Sequence, residues 1–398
     1  MGLINSINKL YSHTCPECLS EALAMFPIET LASGKESEKS LLDAVRNGLT
    51  ENVVKDLSRV YTDNFHKAIT GVFGDVKPES KYFRHVQEFK LNTARFAQFK
   101  SQRCIDMLTN AFNADPANFD AKGGQIIKLF KRWQASEYNT AVARSRSAKQ
   151  FINFLEQKEL YPNIEWLQSR AAVADEIHRR YWGIILPVVH PFWTEHIPGD
   201  HWGCQCDIHN TDKPATAVPR KILAPVRGLE GNPAITGELF TDTHPYIRKA
   251  KDVDKVNKSV IKEVVKPAIL DYKQTIPLHK ALIVESANIA TGKMLIIRRV
   301  ADDIYEHAGS DFKLQTYGVG LEHKIKDWAY VGWTAVKKGK HPEAAYFLYY
   351  KKVMNGLVRF LNVKVHKTFN AEVPYAVTEF VEKTKKGLPK DIGDYIKK

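Results

Sequence analysis

Cys204 and Cys206 stand one residue apart in Trp202-Gly203-Cys204-Gln205-Cys206, with His196, His201 and His209 close by and His178 upstream. Thiolates and neutral imidazoles are the donors zinc takes in a tetrahedral S2N2 set. On an extended backbone the side chains at i and i+2 leave on the same side, so both sulfurs of a Cys-x-Cys can reach one ion. The expected ligands are Cys204, Cys206, His178 and one of His201 or His209, with His209 carried as the fourth. Such a zinc would be structural, its binding energy adding to the folding energy of a turn-rich segment around Pro198 and Gly199. The same residues also read without metal, the cysteines as buried hydrophobes beside Trp202 and His178 as a helix residue meeting its own hydrogen bonds. A catalytic zinc needs an open position and a general base, and a Cys/His nucleophile needs a group to orient the imidazole; neither is visible in the sequence.

A second set lies near the C-terminus. Asn355-Gly356 is a two-residue hairpin signal between the β-rich runs Ala344–Val353 and Leu357–His366. Strict alternation then puts Leu361, Val363 and Val365 on one face and Asn362, Lys364 and His366 on the other. A cation beside an imidazole is what metal-independent RNA cleavage requires. The imidazole moves a proton to or from the ribose 2′-hydroxyl or the leaving oxygen, and the cation stabilises the charge on the phosphorane-like transition state. His307 on a preceding helical segment supplies a second acid or base, and Thr378 on the next strand a donor to phosphate. His279 and His341 stand in reserve, with His323 behind them, and a merely solvated Lys/His face is the competing reading.

The elements that must position these groups follow from pattern and charge. The chain has 398 residues, 44% hydrophobic and 26% charged, which suits a multidomain soluble protein. No run of about 18 apolar residues suggests a membrane span, and no secretory leader is expected. Five cysteines in such a chain argue for clustered thiols rather than a disulfide framework. Cys15-Pro16-Glu17-Cys18 offers half a zinc site or two unpaired thiols. Residues 1–216 carry 26 Lys and Arg against 25 Asp and Glu, whereas residues 217–398 carry 32 against 20. A one-sided basic excess fits a polyanionic partner for the second half, nucleic acid first.

Apolar residues recur at three- and four-residue steps over Leu41–Leu49, Val53–Tyr61, Phe83–Phe112 and Ile126–Phe154, predicting a helical first half. Thr50 is placed as an N-cap, and breaks are expected at Gly71–Gly74, Asp115-Pro116 and Gly123-Gly124. Glu165-Trp166 starts a strand, Pro and Gly punctuate 211–260, and a charged helix covers Lys249–Val265.

The run Glu137–Phe151 (EYNTAVARSRSAKQF), His178 with Gly183 beyond it, and HPFWTEHIPGDHWGCQCDI over 190–208 resemble the phage Mu F-like head morphogenesis family, minor head proteins near the portal of tailed phages and prophages. Gly228-Leu229-Glu230-Gly231-Asn232-Pro233 and Thr243-His244-Pro245-Tyr246 resemble the end of that domain. The resemblance covers roughly 95–250. The sequence departs from the family's pattern at Gln205, where the family has Arg, and at Ala171–Ile177, where it has an Asp- and Arg-rich run.

The helix-then-hairpin layout ending in VKVHKTFNAEVPYAVTEF, Val363 to Phe380, resembles the barnase–EndoU–colicin–RelE-like nuclease superfamily, phage versions of which follow Mu F-like domains. Catalytic residues vary across that superfamily, so His307, Lys364, His366 and Thr378 rest on strand geometry.

The expected fold is multidomain α+β. It comprises a helical region 1–94, a loop-rich Mu F-like core 95–250, a linker helix 251–274, a nuclease-like domain with an antiparallel sheet 275–385, and a basic tail 386–398. The expected function is a phage or prophage minor head protein, found in the virion and host cytoplasm, that binds portal or capsid proteins and carries a metal-independent ribonuclease-like domain. The alternative is a purely structural head protein whose basic half binds packaged DNA. Structural zinc is the one cofactor expected, and no membrane partner is.

Overall fold

A computed structural model of the chain describes residues 35–171, 176–325, 328–336, 341–354, 357–368 and 371–381. The Cys15/Cys18 pair, the Asn355-Gly356 turn and the basic tail lie outside them. The protein is α+β and divides into two compact units, one formed by residues up to 76 with 88–259 and the other by 77–87 with 260 onward. The boundary expected near 94/95 thus falls within a unit, and the expected linker helix is divided at 259/260.

Four helices dominate the first unit: α1 (Lys35–Arg46), α2 (Thr50–Phe73), α3 (Phe83–Ala114, its first turn belonging to the other unit) and α4 (Phe119–Glu156). Helix α2 buries Leu57, Tyr61, Phe65, Ala68, Ile69 and Phe73, the three- and four-residue steps of one face. Each fully buried aromatic or aliphatic side chain stabilises by roughly 1.5–3 kcal/mol. Thr50 is the first residue of α2 rather than its cap, and the helix ends at Gly74, whose φ of 76° and N–H bond to Thr70 O (2.8 Å) stop it. Gly123-Gly124 does not interrupt α4. A Cβ at Gly123 would overlap Leu42 of α1, so the glycine permits a close helix approach rather than a break.

Beyond α4 the chain forms a small antiparallel sheet of β1 (Asn163–Leu167), β2 (Ile185–Pro187) and β3 (Asp207–Thr211), in the order β2-β1-β3. Single helical turns at Glu176–Arg179 and Phe192–Glu195 interrupt the loops between the strands. Residues 212–252 are irregular apart from the turns Pro233–Thr236 and Pro245–Arg248, and helix α5 (Val253–Val260) follows.

The second unit continues through a π-helical stretch, Ile261–Val265, into α6 (Lys266–Thr275). Strands β4 (Leu282–Glu285) and β5 (Lys293–Ile296) precede α7 (Arg298–His307), and β6 (Ala329–Ala335), β7 (Ala344–Met354), β8 (Leu357–His366) and β9 (Ala371–Val381) follow. The sheet is six-stranded and mixed, β4-β5-β9-β8-β7-β6, because β5 pairs parallel with β9 at Met294 and Glu372. It is therefore larger than the antiparallel sheet expected. Leu361, Val363 and Val365 are buried on one face of β8, as alternation requires. Glu372, wholly buried, accepts from Tyr350 Oη and from the Thr291 N–H (2.8 Å), tying the β4–β5 side of the sheet to the meander.

Candidate functional site

In the second unit the pairing of β8 with β9 slips between Asn362↔Ala376 and Val363↔Pro374, which makes Tyr375 the extra residue of a bulge in β9. A bulge of this kind bends a strand and re-aims one side chain. Here it brings the Tyr375 ring to the Lys364 face. The Lys364 ammonium lies 5.0 Å from the ring centroid, His307 packs edge-on at 5.5 Å, and His341 lies at 5.8 Å. Phe347 closes the group at 5.5 Å. The bulge thus collects two imidazoles and an ammonium from α7, β8 and the segment before β7.

Glu343 completes it, at 3.3 Å from Lys364 Nζ and 3.5 Å from His341 Nδ1. Its own backbone N–H, then Lys364 and His341, hold its carboxyl below the usual range. His307 Nδ1 donates to Asp303 O at 2.7 Å, one turn back on α7, which leaves Nε2 with the lone pair. His341 has a backbone φ of 49°, a conformation that a residue with a side chain rarely adopts.

Of the four residues expected here, His307 and Lys364 are brought together. His366 lies on the Lys364 face at the end of β8, opposite Ala371, and its Nδ1 accepts the Thr368 N–H at 3.2 Å. Thr378 sits opposite Phe360, farther back along the sheet, with its hydroxyl buried and without a hydrogen-bond partner among the described residues. His341 joins from reserve, whereas His323 bonds Pro78 O at 2.8 Å. Glu343 and Tyr375 were not anticipated; no alternation pattern announces a bulge.

In the first unit, α4 holds the loops through one face. Arg144, wholly buried, donates to the carbonyls of Leu229 (2.8 Å) and Gly231 (2.9 Å), and at greater length to Glu238 and Gly199. Ser147 donates to Pro198 O at 2.8 Å and Gln150 to Asp207 at 2.8 Å. Glu137 accepts from Tyr246 Oη (2.9 Å) and pairs with Lys100 inside the core. These contacts explain the Glu137–Phe151 run physically: its polar positions 137, 144, 147 and 150 tie α4 to Tyr246, to the loops at 198–199 and 229–238, and to Asp207.

The single turn at Glu176–Arg179 buries His178 against the cysteines. His178 Nδ1 lies 3.2 Å from Cys204 Sγ and 3.7 Å from Cys206 Sγ, and its Nε2 lies 2.7 Å from Asp200 Oδ1. The second carboxylate oxygen of Asp200 takes His196 Nδ1 at 3.0 Å. Burial alone would lower His178; the Asp200 carboxylate and Cys206 outweigh it and raise the imidazole to about 10. Cys206 is brought down to about 5, first by its hydrogen bond with Cys204 and then, against burial, by His178 and Trp166. Burial and Cys206 push the Cys204 thiol well up. Burial opposes the charge on Asp200, yet His178, His196 and His201 keep its carboxyl well below the usual range.

His178, Cys204 and Cys206 therefore meet, but His209 does not join them. Glu165 and His209 are opposite each other in the β1–β3 register, and His209 Nε2 lies 3.4 Å from Glu165 Oε2. Parity explains this: Cys206 stands just before β3 and His209 within it, an odd number of residues apart, so on an extended backbone they leave on opposite sides. His201 groups with His178 and Asp200 instead of with the sulfurs. Asp200 is the residue the sequence reading missed; its place in Pro198-Gly199-Asp200-His201, four residues after His196, was the available signal.

No protein-family model matches the chain, and neither does any curated protein or solved structure.

Proposed function

We propose that this chain is a minor head protein of a tailed phage or prophage, acting in head morphogenesis beside portal and capsid proteins, and that its second unit cleaves RNA without a metal. The head reading is supported by the Glu137–Phe151 and 190–208 resemblances, whose residues form one interlocked group in the first unit. It would put the chain in the virion and, after infection, in the host cytoplasm. No helix among the described residues is long and apolar enough to cross a membrane.

One observation carries the nuclease reading: two imidazoles and an ammonium share the ring of a bulged tyrosine. His307 Nε2 removes the proton of a ribose 2′-hydroxyl as its oxygen attacks the adjacent phosphorus. Lys364 stabilises the charge that builds on the non-bridging oxygens, and His341 gives a proton to the departing 5′-oxygen. The products are a 2′,3′-cyclic phosphate and a 5′-hydroxyl. The excess of Lys and Arg over residues 217–398 favours binding of the polyanion.

The test is cleavage of labelled RNA by the full-length protein in EDTA. Cyclic-phosphate ends that vanish in His307→Ala and Lys364→Ala support the reading. No cleavage, with salt-sensitive binding of DNA and RNA alike, would leave a structural head protein whose basic half contacts packaged DNA.

A further inference from the structure

We propose that Cys204 Sγ, Cys206 Sγ and His178 Nδ1 bind one zinc ion, with Asp200 holding the imidazole in its ligating tautomer.

The distances fit. Zinc–sulfur and zinc–nitrogen bonds of about 2.3 and 2.05 Å at tetrahedral angles put sulfur and nitrogen roughly 3.6 Å apart. The observed separations of 3.2 and 3.7 Å bracket that edge, and the three donor atoms all lie within 4.8 Å of one another. The surroundings are those of a ligand set as well. The Cys206 N–H donates to Cys204 Sγ at 3.4 Å, a bond that favours a thiolate. Asp200 accepts from Nε2, which leaves the Nδ1 lone pair for the metal, the carboxylate–histidine arrangement that orients metal-bound imidazoles. His196 in turn fixes Asp200 from its other oxygen.

Charge is balanced in the zinc-bound state. There the two thiolates and the Asp200 carboxylate, itself 1% exposed, carry three negative charges. The divalent ion supplies two positive charges and Arg144, whose charge interacts with Asp200, the third.

The competing chemistry for Asp–His–Cys is a nucleophilic thiol. Exposure argues against it here. The sulfur nearer the imidazole belongs to Cys204, which is buried, while the more accessible Cys206 is the farther one. A nucleophile would require the reverse, whereas two sulfurs converging on one imidazole suit an ion. Among the described residues the donor group ends at these three. The ion would join the turn at Glu176–Arg179 to the entry of β3, across a sheet whose strands are only three to five residues long.

Elemental analysis of the full-length protein, purified without chelator, should find one zinc per chain, lost in Cys204→Ser/Cys206→Ser. Replacement by cobalt should give the thiolate-to-metal charge-transfer band and the intense visible bands of a tetrahedral site. Asp200→Asn should keep those bands but weaken zinc 10- to 100-fold in competition with a chromophoric chelator. Because the spectrum is read on the unaltered protein, a variant that fails to fold does not decide the matter. Absence of zinc and of cobalt bands, with Cys206 alkylated equally fast with and without added zinc, would overturn the proposal.

Discussion

Gly199 lies so close to Arg144 that a Cβ on it would stand 2.8 Å from Arg144 Cγ, and its φ of 100° is one that side chains avoid. The contact is the point where the loop before the cysteines is held against helix α4. Arg144→Lys keeps the charge but gives up the fork that reaches the carbonyls of Leu229 and Gly231. A loss of about 2–4 kcal/mol is expected, read as a lower urea midpoint with unchanged slope. Gly199→Ala should cost at least as much, since the new methyl meets both the Arg144 side chain and an unfavourable φ. Unaltered midpoints for both would mean that the loop is held elsewhere.

The Lys100–Glu137 pair is fully buried, with Gln134 Oε1 accepting from Lys100 at 2.5 Å and the ammonium 4.3 Å from the Tyr61 ring centroid. Lys100→Met strands the carboxylate and should cost about 3–5 kcal/mol. Lys100→Met combined with Glu137→Gln should recover much of that, because the amide oxygen introduced there still accepts from Tyr246 and leaves no buried charge. The measurement is a double-mutant cycle by urea denaturation; additivity within about 0.5 kcal/mol would show that the pair is uncoupled.

His244 is buried and held well below its ordinary value of 6.5, chiefly by burial and secondarily by Lys100. Its neutral Nδ1 accepts the Tyr246 N–H at 3.3 Å. The unfolded chain binds a proton here below about pH 6.5 and the folded chain does not, so stability should fall as pH drops from 7 toward 5. His66, also lowered mainly by burial, acts in the same direction. His244→Asn retains a side-chain acceptor at the cap and should flatten the pH profile of the denaturation midpoint. A profile identical to that of the unaltered protein would exclude His244 as its source.

Tyr375 gathers the proposed nuclease groups without reacting itself. Tyr375→Leu should leave the melting temperature within a few degrees while lowering cleavage at least about 10-fold. His307→Ala and His341→Ala should each cost about 100- to 10,000-fold, the usual contribution of an acid or base. His366→Ala and Thr378→Val should be comparatively mild. Cleavage lost in His366→Ala and retained in His341→Ala would move the chemistry to the end of β8.

The hairpin strands and the Lys364/His366 face were legible because β-rich runs flank Asn355-Gly356 and alternation of period two is written directly into Leu361–His366. Cys204, Cys206 and His178 were legible by residue type alone. What escaped depends on non-local geometry. Tyr375 reaches Lys364 only because β9 carries one residue more than β8, and the parallel pairing of β5 with β9 arises from a crossover that no local pattern encodes. Strand β6 was missed because its residues are mostly solvent-exposed, including Tyr330 and Trp333. His209 was selected by nearness in sequence, and one residue of parity sent it to the other face.

The eleven residues 77–87 belong to the second unit although the first unit's chain lies on both sides of them. Pro78 accepts from His323, and the Phe83 ring packs 5.6 Å from the His323 ring. The two halves are therefore not separable cassettes. A recombination joint near residue 260 would give the downstream segment to a new host without its own 77–87, and would leave that stretch behind with its packing partners gone. Exchange of the C-terminal half between related chains should succeed only when the donor's equivalent of 77–87 travels with it, which makes this short insertion a compatibility determinant.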